Sequence, residues 1–162
     1  MNNGPTLRCG STGADIRRLH RILVMIKLLD YTMITGTFGP LTEQAVKTFQ
    51  ASNGLAPDGI VGIHTWRALP DDPETPPLAH GAIGSSVAAL QNGLKQYYPI
   101  LGVPTDPGPV DGDFGSLTLR AVRAYQSERG VIMDGIVGDL TWWVPAGGAG
   151  TTLASLSGLT TV

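Results

Sequence analysis

The chain has 162 residues, 42% hydrophobic and 15% charged, with a formal net charge of −2. That is a globular balance with few charges. Seven Lys/Arg face four Asp/Glu in residues 1–70, and four face nine in 71–162, with no basic run in either half, which argues against nucleic acid as a partner. The lone cysteine, Cys9, excludes an intrachain disulfide and a thiolate metal cluster from this chain alone, and it reads as a small apolar residue rather than a nucleophile. Twenty-two glycines and twelve prolines predict short elements joined by defined turns.

The first predicted helix follows "LRCGSTG" (7–13) and sets Ile16, Leu19, Leu23 and Ile26 on one apolar face. Its stretch "RRLHRILVMIKLL" has arginines before an apolar run, as a secretory signal does. Lys27 interrupts that run, no small-residue cleavage site follows promptly, and the run is too short to cross a membrane. The expectation is therefore no signal peptide and no membrane span, with synthesis in the cytoplasm and the final location left open.

Next comes a turn that the chain uses four times: "TGTFGPLT" (35–42), "DGIVGIHT" (58–65), "DGDFGSLT" (111–118) and "DGIVGDLT" (134–141). Helix two, "PLTEQAVKTFQ", follows the first turn and repeats Leu41, Ala45 and Phe49 every four residues. Helix three, "IHTWRAL", follows the second and is stopped by Pro70. The acidic, proline-rich "DDPETPP" (71–77) reads as a stiff, solvated linker.

The three-helix pattern then recurs, with Val87, Leu90, Leu94 and Tyr97, then Leu117, Ala121 and Tyr125, then "DLTWWV" before Pro145. The front halves of the copies are offset by 71 residues and the back halves by 76, so copy two has five extra residues, placed in the loop "GVPTDPGP" (102–109). The expected cores are Ile16, Leu19, Leu23, Val46 and Phe49 in one unit, and Val87, Leu90, Leu94, Val122 and Tyr125 in the other.

The repeated turn reads as a helix starter. Glycine supplies a geometry that a Cβ opposes, Phe or Val pins the turn to the core, and the second glycine caps the next helix. Threonine three residues on is expected to reach back to the first turn of the helix, as half of a capping box. The leading aspartate is expected to tie the turn to its own backbone.

With these pieces in order, the chain resembles the three-helix bacterial peptidoglycan-binding domain. The resemblance rests on "LRCGSTGADIRRLH" with "FGPLTEQAVKTFQASNGLAPDGIVGIHTWRAL", and on "IGSSVAALQ" with "VDGDFGSLTLRAVRAYQSERGVIMDGIVGDLTWW". It implies an all-α fold of two tandem three-helix bundles: unit 1 at 1–70, the linker at 71–77, unit 2 at 78–145, and a non-globular tail at 146–162. It also implies a non-catalytic module that attaches to cell wall, with peptidoglycan, through stem peptide or glycan, as partner. Copy one departs from the pattern at Thr35 and His20, and copy two at Ala79 and in its inserted loop.

No His pair, calcium loop or nucleophile elbow is present, so no metal, cofactor or catalytic residue is expected. The candidate ligand groove lies where the two turns of a unit meet. In copy one it comprises Phe38, Gly39, Thr42, Gln50, Asp58, Gly59 and Trp66. In copy two it comprises Asp111, Phe114, Gly115, Thr118, Gln126, Asp134, Gly135 and Trp142. Helix N-termini there would favour carboxylates and the aromatics would stack on sugars, whereas the ordinary roles of these residues are core and turn.

Trp143 cannot share a helical face with Trp142 and is expected outside its own unit's core, as a sugar platform or as a contact for another segment. The tail "AGGAGTTLASLSGLTTV" places Leu153, Leu156, Leu159 and Val162 behind a glycine hinge, spaced poorly for a helix or a strand. It either folds back over Trp143 or, as the favoured expectation, docks into a protein partner. The competing function is thus an adaptor in a phage-tail-like or contractile injection particle or other large assembly. A third reading is a regulatory subunit of a separate hydrolase.

Overall fold

Helix α1 (Ala14–Met25) forms where apolar side chains recur at helical spacing, and it buries Ile16, Leu19, Ile22 and Leu23 completely. A one-turn 3-10 helix (Tyr31–Met33) leads to α2 (Pro40–Ser52) and the short α3 (Ile63–Ala68). The pattern repeats as α4 (Ser85–Gln96), α5 (Ser116–Arg129) and α6 (Asp139–Trp143), and a further turn of helix follows, α7 (Leu153–Leu156). The computed structural model describes residues 2–73, 75–147 and 150–160, which form two compact units, 2–73 and 75–160. Among the described residues there is no strand, so the fold is all-α as expected, with β pairing limited to isolated bridges.

The bridges fasten the chain around each helical core. Leu7 and Val61 exchange backbone bonds of 3.0 and 2.8 Å, and Leu78 and Val137 do the same at 3.1 and 2.8 Å. Each unit closes over a fully buried tryptophan. Trp66 Nε1 donates to the Pro5 carbonyl at 2.7 Å, and Trp142 Nε1 donates to the Pro76 carbonyl at 2.8 Å. All ten expected core residues are buried, none more than 6% exposed. Leu41 and Leu117 leave the expected every-fourth-residue stripe and stand 58% and 46% exposed. They sit at the second position of α2 and α5, where the helix has just left its glycine cap.

The expected linker is tied down on both sides. Asp72 pairs with Arg21 at 3.1 Å and Pro73 is buried in the first unit, while Thr75 is buried and Pro76 holds Trp142 in the second. Glu74 lies outside the described residues.

The non-globular tail is a correction. Ala146 N–H donates to the Thr151 carbonyl, and a Thr152–Ser155 capping box starts α7, which packs on α4 and α6. Thr152 Oγ1 accepts from Ser155 N–H at 3.2 Å, and Ser155 Oγ accepts from Thr152 N–H at 2.8 Å. Leu153 and Ala154 are fully buried, and Leu156 and Leu159 half-buried. Burial of Leu153 alone is worth about 1.5–3 kcal/mol. Gly93 on α4 permits the approach, since a Cβ there would collide with Ser157. Val162, the last residue of the expected docking stripe, lies outside the described residues.

Trp143 is corrected with it. It is only 3% exposed, because α7 covers α6 on a side that unit 1 has no segment to cover. The sugar-platform option for Trp143 is thereby removed, and so is the free apolar tail that motivated the adaptor reading.

Candidate ligand-binding site

The four repeated turns are built around four buried side chains. Gln50 Nε2 donates to Asp58 Oδ1, the Ile60 carbonyl and Thr65 Oγ1 at 3.0, 2.9 and 3.1 Å, while its Oε1 accepts from Gly59 N–H at 2.9 Å. Gln126 repeats this with Asp134, the Ile136 carbonyl and Thr141, each at 3.0 Å, and with Gly135 N–H at 2.9 Å. Gln91 does the same for Asp111, the Asp113 carbonyl and Thr118, and accepts from Asp111 and Gly112 N–H. Two amide hydrogens shared among three oxygens leave no donor idle, and the carbonyl oxygen is also bonded. An amide left unsatisfied here would cost about 1–3 kcal/mol.

The fourth turn has Thr35 in the aspartate position and His20 in the glutamine position. His20 Nδ1 lies 3.0 Å from the Thr35 carbonyl and 3.1 Å from its N–H, and Nε2 lies 2.9 Å from Thr42 Oγ1. The two departures noted in the sequence are thus one exchange. A ring nitrogen replaces the amide, and a backbone group replaces the carboxylate.

This geometry corrects the expected role of the threonines. Thr42, Thr65, Thr118 and Thr141 are buried and bond to the imidazole or amide beneath them rather than capping their helices. A buried amide demands an acceptor, and the third residue of the helix is the nearest one. The aspartates do tie their own turns: Asp58, Asp111 and Asp134 Oδ1 accept from the N–H two residues on, at 2.9, 3.0 and 2.9 Å. Ile60 N–H and then Gln50 hold the Asp58 carboxyl below the usual carboxylate range, and Asp113 N–H and then Gln91 do so for Asp111. The left-handed Gly59 and Gly135 (φ 77° and 75°) let the turn lie against the preceding helix, where a Cβ would come within 2.7 Å of Glu43 Cγ or 2.5 Å of Leu119 Cδ1.

Phe38, Phe114, Trp66 and Trp142 are at most 1% exposed, and Gln50 and Gln126 are equally buried. These side chains form the core and the clips and do not present a face to a ligand. Gly39, Asp58, Gly59, Asp134 and Gly135 surround those clips on the two units.

In unit 2 a groove of about 200 Å³ does gather three of the sequence-predicted residues, Asp111, Gly115 and Thr118, at the start of α5. Asp113, Ser116 and Leu117 complete its floor, and Pro107 and Pro109 of the inserted loop form one wall. The sequence reading missed Asp113, Leu117 and these prolines. The inserted loop itself was the available signal. The two carboxylates make this groove hospitable to amines and hydroxyls rather than to the carboxylates that a bare helix N-terminus would favour. In unit 1 a groove of about 290 Å³ lies elsewhere, lined by Leu28, Leu29, Met33 and Leu41, and holds none of the predicted residues.

Among the described residues no group of three or more His, Cys, Asp or Glu side chains is placed to hold a metal ion. No helix among them is long and apolar enough to cross a membrane.

A family model described as "Putative peptidoglycan binding domain" matches residues 12–69 and 83–143. The chain is 37% identical to the N-acetylmuramoyl-L-alanine amidase CwlM of Mycobacterium tuberculosis, over 86% of this chain and 37% of that protein. It is 28% identical to the N-acetylmuramoyl-L-alanine amidase CwlL of Bacillus licheniformis, over 86% of this chain and 45% of the relative. It is 31% identical to the zinc D-Ala-D-Ala carboxypeptidase of Streptomyces albus G, over 65% of this chain and 36% of the relative. The chain thus spans less than half the length of these relatives. Their names correct the expectation of a protein outside enzymology, because most of the chain is shared with proteins named as N-acetylmuramoyl-L-alanine amidases and a D-Ala-D-Ala carboxypeptidase. What is shared is a part of each relative, 37%, 45% and 36% of their lengths. The chain belongs to the peptidoglycan-binding domain family and carries two tandem copies of that domain.

Proposed function

We propose that the chain holds itself, and whatever activity accompanies it, on peptidoglycan, and that unit 2 supplies the stronger contact through the groove at the start of α5. The observation that carries this reading is the convergence of Asp111, Asp113, Gly115, Ser116 and Thr118 on one open groove. The backbone of that groove is fixed by the Gln91 clip, so little ordering entropy is lost on binding. Stem-peptide amines and amides suit its carboxylates, and Leu117 offers an apolar floor. Two linked units raise the avidity of two weak contacts on a polymeric surface. The amidase and carboxypeptidase names of the relatives support a role in placing wall-cleaving chemistry at its substrate.

Sedimentation with insoluble, purified peptidoglycan tests this. The informative variants are Asp113→Asn and Leu117→Ser, because both side chains are exposed and neither is part of the clip. Together they should weaken retention about tenfold while the thermal transition stays in place. Wild-type protein left in the supernatant would remove the function, and full retention of the double variant would remove the groove.

A further inference from the structure

The inserted loop of unit 2 has a second side. Residues 97–103, which lead into it, are gathered on one buried carboxylate, Glu128 of α5. Its oxygens accept from the backbone N–H groups of Ile100, Leu101 and Val103 at 3.0, 3.0 and 3.1 Å, and the Tyr97 hydroxyl lies 3.4 Å away. Burial opposes its ionisation, but the N–H donors of Leu101, Val103 and Ile100 outweigh it and hold the carboxyl below its ordinary range. Unit 1 has Ser52 in the place of Glu128 and no such loop.

What this tether holds up is apolar and uncovered. Tyr98 is 87% exposed, Ile100 63% and Leu101 69%, where unit 1 has Lys27, Leu29 and Asp30. The same segment, through Tyr97 and Pro99 on either side of Tyr98, also lines a groove of about 270 Å³ with Lys95, Pro104, Thr105 and Asp106. Its two charges neutralise each other, since Lys95 Nζ sits 3.3 Å from Asp106. This groove therefore carries no net charge, unlike the acidic groove on the other side of the loop.

We propose that this face is a sugar-binding subsite that takes the glycan strand of peptidoglycan, with Tyr98 as the stacking platform. A pyranose ring has an apolar face and a neutral, hydroxyl-rich edge. An exposed aromatic next to aliphatic side chains matches the face. A paired ammonium and carboxylate match the edge without favouring a charged ligand. A loop fixed by three backbone bonds to one carboxylate presents the ring without an ordering cost. The inference rests on the peptidoglycan reading above and adds to it a division of labour: stem peptide on the acidic side of the loop, glycan on the neutral side.

The test uses the full chain and three probes: whole insoluble peptidoglycan, glycan strands stripped of their stem peptides, and free stem peptide. Tyr98→Ala should lose about five- to tenfold in affinity for stripped strands. Tyr98→Phe, which keeps the ring, should stay within about twofold of wild type, and free stem peptide should bind all three proteins alike. Wild-type affinity of Tyr98→Ala for stripped strands would overturn the subsite, as would wild-type binding to whole peptidoglycan but not to stripped strands. Absence of wild-type binding to whole peptidoglycan would instead overturn the parent reading, and the subsite with it.

Discussion

Replacing His20 by Gln should damage the first turn of unit 1, and adding Thr35→Asp should repair it. Three turns of this chain join a glutamine amide to an aspartate, and the fourth joins His20 to Thr35. A glutamine at 20 facing Thr35 lacks the carboxylate that Asp111 gives Gln91, and a buried group left unpaired costs about 1–3 kcal/mol. The second exchange supplies that carboxylate, so the two should couple by about 0.5–3 kcal/mol. The same pair changes the response to acid. Burial lowers the pKa of His20 below 6.5, the Thr35 backbone bond opposes this, and Arg17 adds to it. A group whose folded pKa lies below its unfolded one favours the fold when neutral. Its contribution is complete above about pH 6.5 and is lost as the pH falls from there to the folded pKa, by at most about 1.4 kcal/mol per pH unit. For a unit of this size that is about 5–10 °C per pH unit. Calorimetry of wild type and double variant between about pH 7 and pH 5, with an NMR titration of the His20 ring, reads both effects. A His20 that titrates at or above 6.5 in the folded protein, or a double variant no more stable than His20→Gln, would refute the reasoning.

The same geometry carries further expectations. Gly135→Ala should lower stability by about 1–2 kcal/mol, because its left-handed backbone opposes a Cβ and Leu119 occupies the space. Gly115→Ala, at φ −91° with open space around it, meets no clash and should cost only the cap preference of glycine over alanine, about 0.5–1 kcal/mol, and chemical denaturation separates the two. Deleting residues 150–162 should uncover Trp143 and shift its emission to the red, with a Trp143→Phe version as blank; unchanged emission would mean that α7 does not cover it. Thr152→Ala should cost α7 about 0.5–2 kcal/mol of cap energy, seen as faster proteolysis beyond Gly147.

The helices and their cores were legible because apolar spacing is a local property, and two copies in one chain supplied a check on each other. Leu19 and Leu90, or Val46 and Val122, could be matched by offset alone. The turns were half legible. The aspartate's bond to its own backbone is local and was foreseen at Asp58, whereas the threonine's partner lies on the preceding helix and was not. Gln50 and Gln126 each stand eight residues before their aspartates, Asp58 and Asp134, but Gln91 stands twenty before Asp111, so the clips of the two kinds of turn share no single spacing for a sequence pattern to catch. The pairing of His20 with Thr35 was visible only as two unrelated departures. Trp143 and the tail were misread together. Helical periodicity correctly put Trp143 on the far face of α6, but it says nothing of what returns to cover that face, and Gly93 reveals its purpose only once Ser157 is beside it. The grooves were the least legible part. They arise from the inserted loop, whose course is set by Glu128, a residue that looks on paper like any solvent-facing acid of a helix.

The measurement that bears most directly on the wall-binding reading is an amide NMR titration of the full chain with a soluble disaccharide–peptide fragment of peptidoglycan. Saturable shifts should appear at Asp113, Ser116 and Leu117 and at Tyr98 and Leu101, with smaller changes in unit 1. A spectrum unmoved at millimolar fragment, or shifts confined to residues outside unit 2's two grooves, would contradict the account.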